Sequence, residues 1–362
     1  MKCIPVFLLG AASMFAADFT TGQAARLVIG QQTFTSQDSN SSDSVIGAAS
    51  GLAYAADTLF VADSNRVGAS PSNHRVLLFQ NLSGMLPQPT DPLTYNKKCP
   101  ACVGQATVVL GQPDFTTTTE NILATTNSLR LATAVASDGV HVVISDTNHN
   151  RVLIWNRIPS SNNQPADVVV GQASFTTASV PGNTPNAKSM RGPQGVWIQN
   201  GRLYVADTGN NRVLIYNRIP TANGAAADVV LGQPNFTTFI QPDLTQQKND
   251  VNAKQLLNPV AVSSDGQHLF VTDLGYNRVL IWNTIPSANQ QAADVVVGQP
   301  DMVSSVANYG FTVDPNDTTN KEIPVLCGTS NGTDANSNPT YPNSCNATLS
   351  FPRFVIAANN RL

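Results

Sequence analysis

The chain has 362 residues, of which 41% are hydrophobic and only 12% are charged, and its formal net charge is −3. The hydrophobic fraction is large enough for a core, but the slight acidic excess leaves no basic surface to attract a phosphate backbone, so we expect no nucleic-acid partner. No apolar segment reaches the ~20 residues that a membrane-spanning helix needs, so we also expect no membrane span.

Residues 1–17 have the features of a secretory signal peptide. Lys2 precedes an uncharged apolar run that ends in small residues at Ala17, and the first acidic residue, Asp18, follows it. A positively charged start, a short apolar core and small residues at the end are typical of such signals. A buried first strand is the alternative, but the glycine, alanines and serine within the run suit cleavage better. We therefore expect a mature chain of residues 18–362 that is secreted or periplasmic.

One sequence pattern recurs along most of the chain. Its clearest copy spans residues 201–236, and looser copies surround Asp63, Asp146 and Asp273. Each copy ends in a V-V-x-G-Q motif, whose glycine recurs after 81, 60, 61 and 66 residues. Repetition on this scale is typical of propellers, solenoids and linear arrays. The glycines are Gly30, Gly111, Gly171, Gly232 and Gly298.

Each repeat divides into four short predicted strands. In the third copy these are residues 195–199, 203–207, 212–217 and 227–232, with turn-forming residues such as asparagine and glycine between the first two. The V-L-I-W runs of the third strands do not alternate between apolar and polar residues, which is typical of a strand that is covered on both faces. Stacked propeller blades cover their sheets in this way. The sequence therefore predicts an all-β propeller with four-stranded antiparallel blades.

The two ends of the chain carry partial repeats. Residues 26–30 are similar to an outermost strand without the three strands that should precede it, and residues 351–362 match the opening strand of the third copy up to its Leu203. We therefore expect four full blades plus partial ones, from a propeller that is truncated at its C-terminus. Residues 299–351, between the last V-V-x-G-Q motif and the last partial repeat, are expected to form a long inserted loop.

The core of the third copy, V-A-D-T-G-N-N-R-V at residues 205–213, resembles the NHL repeat, and the resemblance extends over residues 49–362. It implies a β-propeller. NHL propellers serve mostly as binding platforms for proteins and sometimes for RNA, while a minority, similar to peptidyl-hydroxyglycine amidating lyases, are metal-dependent enzymes. The channel histidines of those lyases have no residue-by-residue match in this chain. The V-V-L-G-Q-P-x-F-T-T segments resemble the long crossovers of exported bacterial members.

An aspartate and an arginine recur once per repeat. They could form a ring of charged ligand contacts. Because a ligand breaks the symmetry of a repeat array and a scaffold does not, we favour a structural role at the blade turns. Each aspartate would accept backbone N–H bonds in its own turn, and each arginine would pack against the adjacent blade. The pairs are Asp63 and Arg75, Asp146 and Arg151, Asp207 and Arg212, and Asp273 and Arg278.

Four cysteines remain once Cys3 is removed with the signal peptide. An even number of cysteines in an exported chain predicts disulfides, and four cysteines allow three connectivities. We expect the two local pairs, Cys99 with Cys102 and Cys327 with Cys345. A redox role for the C-P-A-C sequence, favoured by two neighbouring lysines, is the alternative, but no βαβ pattern surrounds it.

No other motif predicts a catalytic, cofactor or metal site. The histidines, which are His74, His141, His149 and His268, fall in two layers and on non-neighbouring blades, so three of them should not converge on a catalytic zinc. Residues 328–332 match the G-x-S-x-G nucleophile elbow, but the sequence after them cannot form the helix that this motif requires. Residues 334–338 lack the glycine and the closing glutamate of a calcium loop.

We therefore expect an exported, non-catalytic binding or scaffold propeller that recognises a protein or glycan partner through the loops of one face. The crossovers between blades and the turns between second and third strands should emerge together, and variable loops on a rigid scaffold commonly carry binding. Two alternatives remain: an exported lyase or hydrolase acting in the central channel, and a structural surface protein that assembles with copies of itself. The crossovers are residues 31–50, 112–129, 172–191, 233–256 and 299–351.

Overall fold

The computed structural model describes residues 25, 27–64, 72–86, 103–182, 184–241, 251–313, 322–357 and 362. Within them the chain consists of β-strands, short 3₁₀ turns and irregular segments, without an α-helix. Accordingly, none of these residues belongs to a helix of the length and hydropathy needed to cross a bilayer. The predicted signal peptide, Cys99 and Cys102 lie outside the described residues.

The strands are short, between two and seven residues each. In chain order they are β1 (Val28–Ile29), β2 (Ala49–Ala55), β3 (Thr58–Asp63), β4 (Arg75–Gln80), β5 (Val103–Gly104), β6 (Val108–Leu110), β7 (Ala132–Ser137), β8 (Val142–Asp146), β9 (Arg151–Trp155), β10 (Val168–Val170), β11 (Gly195–Gln199), β12 (Arg202–Asp207), β13 (Arg212–Tyr216), β14 (Val229–Leu231), β15 (Pro259–Ser264), β16 (Leu269–Asp273), β17 (Arg278–Trp282), β18 (Val295–Val297), β19 (Phe311–Val313), β20 (Glu322–Pro324), β21 (Gly332–Thr333) and β22 (Pro339–Thr340). The 3₁₀ turns are Leu82–Met85, Thr147–His149, Thr208–Asn210 and Leu274–Tyr276.

Most of the strands belong to four antiparallel sheets of four strands each, and we call these sheets blades I to IV. In each blade the strands follow one another in sequence order from the centre outwards. Blade I consists of β2, β3, β4 and β6, blade II of β7 to β10, blade III of β11 to β14, and blade IV of β15 to β18. The predicted all-β architecture with four-stranded antiparallel blades is confirmed.

Blade III shows why these sequences form strands that are covered on both sides. Val205 of β12 lies opposite Val196 of β11 and Leu214 of β13, and Leu214 lies opposite Val230 of β14. All five residues of β13 are buried. A sheet between two neighbouring blades has no solvent-facing side, so β-branched and aliphatic residues are favoured at consecutive positions.

The hydrophobic core lies between the blades. One cluster joins blade I to blade II, a second joins blade II to blade III, and a third joins blade III to blade IV. Three crossover residues, Phe175, Phe236 and Met302, each pack against one of these clusters. The crossovers therefore contribute side chains to the seams between blades and are part of the packed structure.

The glycine of each V-V-x-G-Q motif meets two requirements. Its φ lies between +85° and +92° in all five copies, a range that disfavours residues with a Cβ. A Cβ at these positions would also come within 2.8 Å of a large apolar residue at the end of the following crossover. Those residues are Ile46, Leu129, Met190, Leu256 and Leu349. Each crossover therefore returns to the strand end from which it started.

The partial repeats at the two ends do not belong to complete blades among the described residues. β1 pairs in parallel with β5, and it does not form the outer strand of a four-stranded sheet. Residues 352–357 belong to no strand, although Phe354 and Ile356 line the central cavity beside the inner strands. Within the described residues, neither segment has the neighbouring strands that would turn it into part of a blade.

Candidate recognition face

The crossovers begin at the glutamine of the V-V-x-G-Q motif. Its side-chain N–H donates to the backbone carbonyl of the residue seven positions later, at 2.8 to 3.3 Å. In blades I to IV the same amide also donates to a carbonyl in the turn between the second and third strands. Crossovers and these turns therefore lie on one side of the molecule, which we call the crossover face. The glutamines are Gln31, Gln112, Gln172, Gln233 and Gln299.

The glutamine and the carbonyl seven residues later enclose a short loop, and within it a short polar side chain closes a tight turn. Asp114 Oδ1 accepts the backbone N–H groups of Thr116 and Thr117 at 2.9 and 2.8 Å. Asn235 makes the equivalent two bonds in the crossover that leaves blade III. The hydrogen bonds to Asp114, led by the one from Thr117, lower the pKa of its carboxyl to about 2. An ionisable aspartate and a neutral asparagine therefore form the same turn in two different crossovers.

A buried ion pair lies beneath each crossover. In blade III, Asp207 Oδ2 and Arg212 Nε are 2.7 Å apart, and both side chains are fully buried. Asp207 Oδ1 accepts the N–H of Arg191, near the end of the incoming crossover, at 2.7 Å. Arg212 donates to the carbonyl of Ser189 in the incoming crossover and to that of Phe236 in the outgoing one. The pair therefore ties two crossovers to one turn.

The other blades repeat this arrangement with Asp63 and Arg75, Asp146 and Arg151, and Asp273 and Arg278. One detail of the sequence-based interpretation is wrong, because the aspartates of blades II to IV do not cap their own turns. A backbone bond closes the turn instead, as between the N–H of Asn211 and the carbonyl of Thr208. The carboxylate is therefore free to accept an N–H from the preceding crossover.

Burial makes these carboxylates dependent on their arginines. It raises the pKa of Asp273 to about 6 and also raises the pKa of Asp207, although the neighbouring arginine opposes the shift in each case. Without the arginine, an enclosed carboxylate would have no compensating charge. The recurring charges are thus held inside the molecule and are not presented to a ligand in solution.

The asparagine that ends the turn in blades II to IV links one blade to the next. Asn150 Oδ1 accepts the N–H of Gly192 at 2.9 Å, and Asn211 Oδ1 accepts that of Asn258 at the same distance. In blade I, the ring nitrogen Nδ1 of His74 replaces the asparagine. All these turn residues have positive φ between 50° and 55°. The end of each crossover is therefore fixed by a side chain of the blade that it has left.

The fifth crossover keeps the same frame at both ends despite its length. Gln299 forms the usual bond to the carbonyl of Val306. At the other end, Leu349 packs on Gly298, and the N–H of Phe351 donates to Asn277 Oδ1 at 3.0 Å. The additional length therefore lies between these anchors, at residues 307–347, and we call this segment the insertion.

The insertion projects an exposed polar arm. The predicted pairing of Cys327 with Cys345 is confirmed, with a Cα–Cα distance of 5.6 Å. Every residue from 328 to 339 is exposed. Asp334 Oδ1 closes the tip by accepting the N–H groups of Asn336 and Asn338, and these bonds lower the pKa of its carboxyl. The arm is thus a defined loop of short polar side chains on a disulfide base.

The G-x-S-x-G sequence lies on this arm. Ser330 Oγ donates to the carbonyl of Gly332 at 2.8 Å, and β21 follows instead of a helix. A nucleophile elbow needs a turn from a strand into a helix and a general base beside the hydroxyl. Ser330 lies on an exposed turn, but a strand follows that turn where a nucleophile elbow requires a helix.

The inner strands of all four blades surround a central cavity of about 460 Å³. The described residues that line it are apolar apart from Ser50 and Gln194, and none of them is a carboxylate, histidine, lysine or cysteine. The Ser50 hydroxyl lies 3.1 and 3.0 Å from the carbonyl oxygens of Ala62 and Ala132, where it bridges blades I and II. The cavity can therefore accept apolar groups, and its described lining holds no acid–base pair.

The expectation that the histidines lie on non-neighbouring blades is wrong for one pair, because His74 of blade I lies close enough to His149 of blade II to interact with it electrostatically. His149 Nδ1 lies 2.8 Å from Asp146 Oδ2 beneath a crossover, whereas His141 and His268 each pair with an aspartate in the turns between first and second strands. Burial lowers the pKa of His74. Among the described residues, no three potential ligands from histidine, cysteine, aspartate or glutamate are grouped to hold a metal ion.

Residues 190–216 match the family model of the NHL repeat, and they span the end of a crossover together with β11, β12 and β13. The other blades repeat the contacts of this segment, including its buried ion pair. Blade III is therefore similar to an NHL repeat, and the other blades share its architecture.

Solved propeller-like structures resemble the chain only weakly. The Pseudomonas aeruginosa periplasmic gluconolactonase PpgL is 14% identical over 83% of this chain and 73% of that one, with a TM-score of 0.39. Myxococcus xanthus glutaminyl cyclase is 10% identical over 82% and 86%, with a TM-score of 0.31. U3-55K is 12% identical over 69% of this chain but 52% of that one, with a TM-score of 0.36, so the chain spans about half of its length. No curated protein matches in sequence.

Two groups of residues that organise the crossover face were missed by the sequence-based reasoning. They are the V-V-x-G-Q glutamines and the second asparagine of the turn motif. The recurrence of the glutamine in all five motifs, and of the asparagine in blades II to IV, was the available signal. Their partners are backbone atoms of segments whose sequences vary, so the sequence pattern does not reveal what they bind.

Proposed function

We propose that the protein is an exported, non-catalytic binding propeller, and that a protein or glycan partner contacts the crossover face at the insertion. The observation that carries this proposal is that the fifth crossover has the same anchoring contacts at its two ends as the shorter crossovers. Its anchors at Gln299, Leu349 and Phe351 match those of the shorter crossovers, so the insertion is an addition that the fold does not require. Loops added to a rigid scaffold in this way are a common means of presenting a binding surface.

The chemistry of the arm supports a polar partner. Residues 328–339 are exposed, and Asp334 is their single charged side chain. Serine, threonine and asparagine side chains both donate and accept hydrogen bonds, which suits hydroxyl-rich glycans or polar protein surfaces. Export is supported by the disulfide, because disulfides persist in oxidising compartments, and by the signal-like residues 1–17.

The composition of the central cavity supports binding over catalysis. A lyase or hydrolase needs a positioned acid, base, nucleophile or metal. The described lining offers two polar side chains, Ser50 and Gln194, and the single O–H of Ser50 is directed at the backbone carbonyls of Ala62 and Ala132. The alternative of an enzyme acting in the channel is therefore not favoured.

Exchange of the insertion for a short crossover tests the proposal. Residues 307–347 are replaced by residues 180–188, which occupy the equivalent interval between the anchors of the crossover that leaves blade II. Partners of the full chain are first identified by chemical cross-linking to the cell surface and by glycan-array binding. Affinity for the identified partner is then measured by calorimetry. We expect at least a tenfold loss of affinity, equivalent to about 1.4 kcal/mol, with an unchanged thermal midpoint for the blades.

The matched control alters a crossover without an insertion. Residues 180–188 are replaced by residues 120–127, the equivalent interval of the crossover that leaves blade I. This variant should bind the partner as the full chain does. Equal binding by the insertion-exchanged variant would contradict the proposal.

A further inference from the structure

One of the four turns that hold the crossovers uses a titratable side chain. In blades II to IV the last residue of the turn is an asparagine, and its Oδ1 accepts a backbone N–H from the end of the outgoing crossover. In blade I this residue is His74, whose Nδ1 accepts the N–H of Leu131 at 3.0 Å. An amide neither gains nor loses a proton near neutral pH, whereas an imidazole does. Among these four links, the one in blade I can therefore respond to acid.

The hydrogen bond to Leu131 requires His74 to be neutral. A ring nitrogen accepts an N–H only through its lone pair, so Nδ1 is unprotonated and Nε2 carries the proton. A second proton would bind Nδ1 and face the N–H of Leu131, and the hydrogen bond would become a contact between two donors. Because His74 is 7% exposed, water does not readily replace the lost acceptor.

The backbone at Leu131 favours release once this bond is lost. Its φ is 61°, in the left-handed region that a leucine rarely adopts. The preceding residue stays attached to blade II, because the N–H of Arg130 donates to Asp146 Oδ1 at 2.7 Å. Loss of the bond to His74 therefore separates the end of the crossover from blade I and leaves it on blade II.

The charged and titratable groups around His74 come from three elements: the outgoing crossover, the turn of blade II and its own turn. Those of the crossover form an ion pair with each other, as do those of its own turn. The groups are Glu120 and Arg130 on the crossover, Asp146 and His149 in the turn of blade II, and Asp63 and Arg75 in the turn of blade I.

These surroundings hold His74 in its neutral form near pH 7. Burial is the largest cause that lowers its pKa, and Arg130 and His149 act in the same direction, while Glu120 and Asp146 oppose them. The unfolded chain therefore binds a proton at His74 more readily than the folded chain does. The stability contributed by the neutral ring is present above pH ~6.5 and is lost as the pH falls below that value.

We infer that His74 is an acid-sensitive link, whose protonation detaches the outgoing crossover from blade I and loosens the seam between blades I and II at the crossover face. The asparagine links of the other blades stay in place. The same crossover carries Ile122 and Leu123, which are 68% and 79% exposed, so the change takes place beside a surface that a partner can reach. The inference does not depend on the proposed function, because the chain alone is sufficient to test it.

Amide-resolved hydrogen exchange of the full chain tests this inference. The amides of Leu131, Gly192 and Asn258 each donate to the last turn residue of the blade that their crossover has left, so the latter two serve as references within the same molecule. Each exchange rate is divided by the rate of an unprotected amide at the same pH. Between pH ~7.5 and pH ~5, the protection of Leu131 should fall about tenfold more than that of either reference, because a released imidazole is mostly charged at the lower pH.

Two variants identify the titrating group. His74→Asn gives blade I the asparagine of the other blades and should remove the additional acid response of Leu131. The matched control, His149→Asn, gives blade II the asparagine that blades I and III have at the same position of the turn, and it should leave the response in place. Each variant is compared with the unaltered chain at the same pH, so the titration of shared groups such as Asp273, whose pKa is about 6, cancels.

Equal acid responses at Leu131 and the two reference amides of the unaltered chain would overturn the inference, and this comparison needs no variant. An additional response that persists in His74→Asn, or one that disappears in His149→Asn, would overturn it as well, because the titrating group would then lie elsewhere.

Discussion

At the scale of single residues, the aspartate and arginine of each repeat use all of their hydrogen-bonding groups on the protein itself. In blade III, Asp207 joins Arg212 to the incoming crossover, and the guanidinium joins both crossovers to the turn. The fixed fork of an arginine supplies several donors in one plane, which a lysine does not. The pair thus organises loops that are far apart in sequence.

Arg212→Ala should therefore destabilise the whole protein. The change leaves Asp207 buried without a compensating charge and releases the carbonyls of Asn186, Ser189 and Phe236. Breaking a buried pair typically costs about 3 to 5 kcal/mol. Chemical unfolding followed by circular dichroism measures the loss. The control is Arg218→Ala, because Arg218 lies on the same blade but is exposed, and it should cost less than about 1 kcal/mol. Similar stability of the two variants would contradict a structural role for the pair.

At the scale of elements, the anchoring contacts of the crossovers are constant, whereas the residues between the anchors vary in identity and number. The tight turn of Asp114 shows how the contents vary without a change of shape, since Asn235 makes the same bonds in another crossover. The glutamine that encloses this turn, and the glycine before it, are constant in all five copies. Length and charge can therefore change between the anchors while the blades stay the same.

Acid titration of this turn gives a test with a defined sign. The pKa of Asp114 is lowered to about 2 in the folded protein, against about 3.9 in an unfolded chain. The ionised carboxylate therefore contributes stability that is present above pH ~4 and is lost as the pH falls through ~2. Asp114→Asn should reduce this dependence, so its difference in melting temperature from the unaltered protein should shrink as the pH falls from 4 to 2.

The reciprocal change, Asn235→Asp, should introduce the same dependence into the crossover that leaves blade III. Differential scanning calorimetry between pH 2 and pH 7 measures both variants. A difference in melting temperature that stays constant across this range would contradict the assignment of the shifted group to Asp114.

Sequence patterns predicted the elements well because their causes are local. The asparagine–glycine turn and the unbroken V-L-I-Y run located the strands of blade III, and the spacing of the cysteines predicted the bond between Cys327 and Cys345. The partners of Asp207 could not be predicted in the same way. Its nearest backbone donor is the N–H of Arg191, 16 residues earlier, and only the packing of the crossover decides which atom arrives there.

At the scale of the whole molecule, the four blades form a rigid array whose contacts repeat from seam to seam. Buried ion pairs and turn asparagines account for the recurring polar side chains, and among the described residues they leave the insertion as a large feature without a structural duty.

Hydrogen-exchange footprinting of the full chain with its cross-linked partner tests the central claim most directly. We predict that slowed exchange on binding is confined to the crossover face and is largest in the insertion, residues 307–347. Turns between the first and second strands, such as the one that contains His268, should exchange at the same rate with and without the partner. Protection centred on those turns or on the inner strands around the cavity would contradict the account.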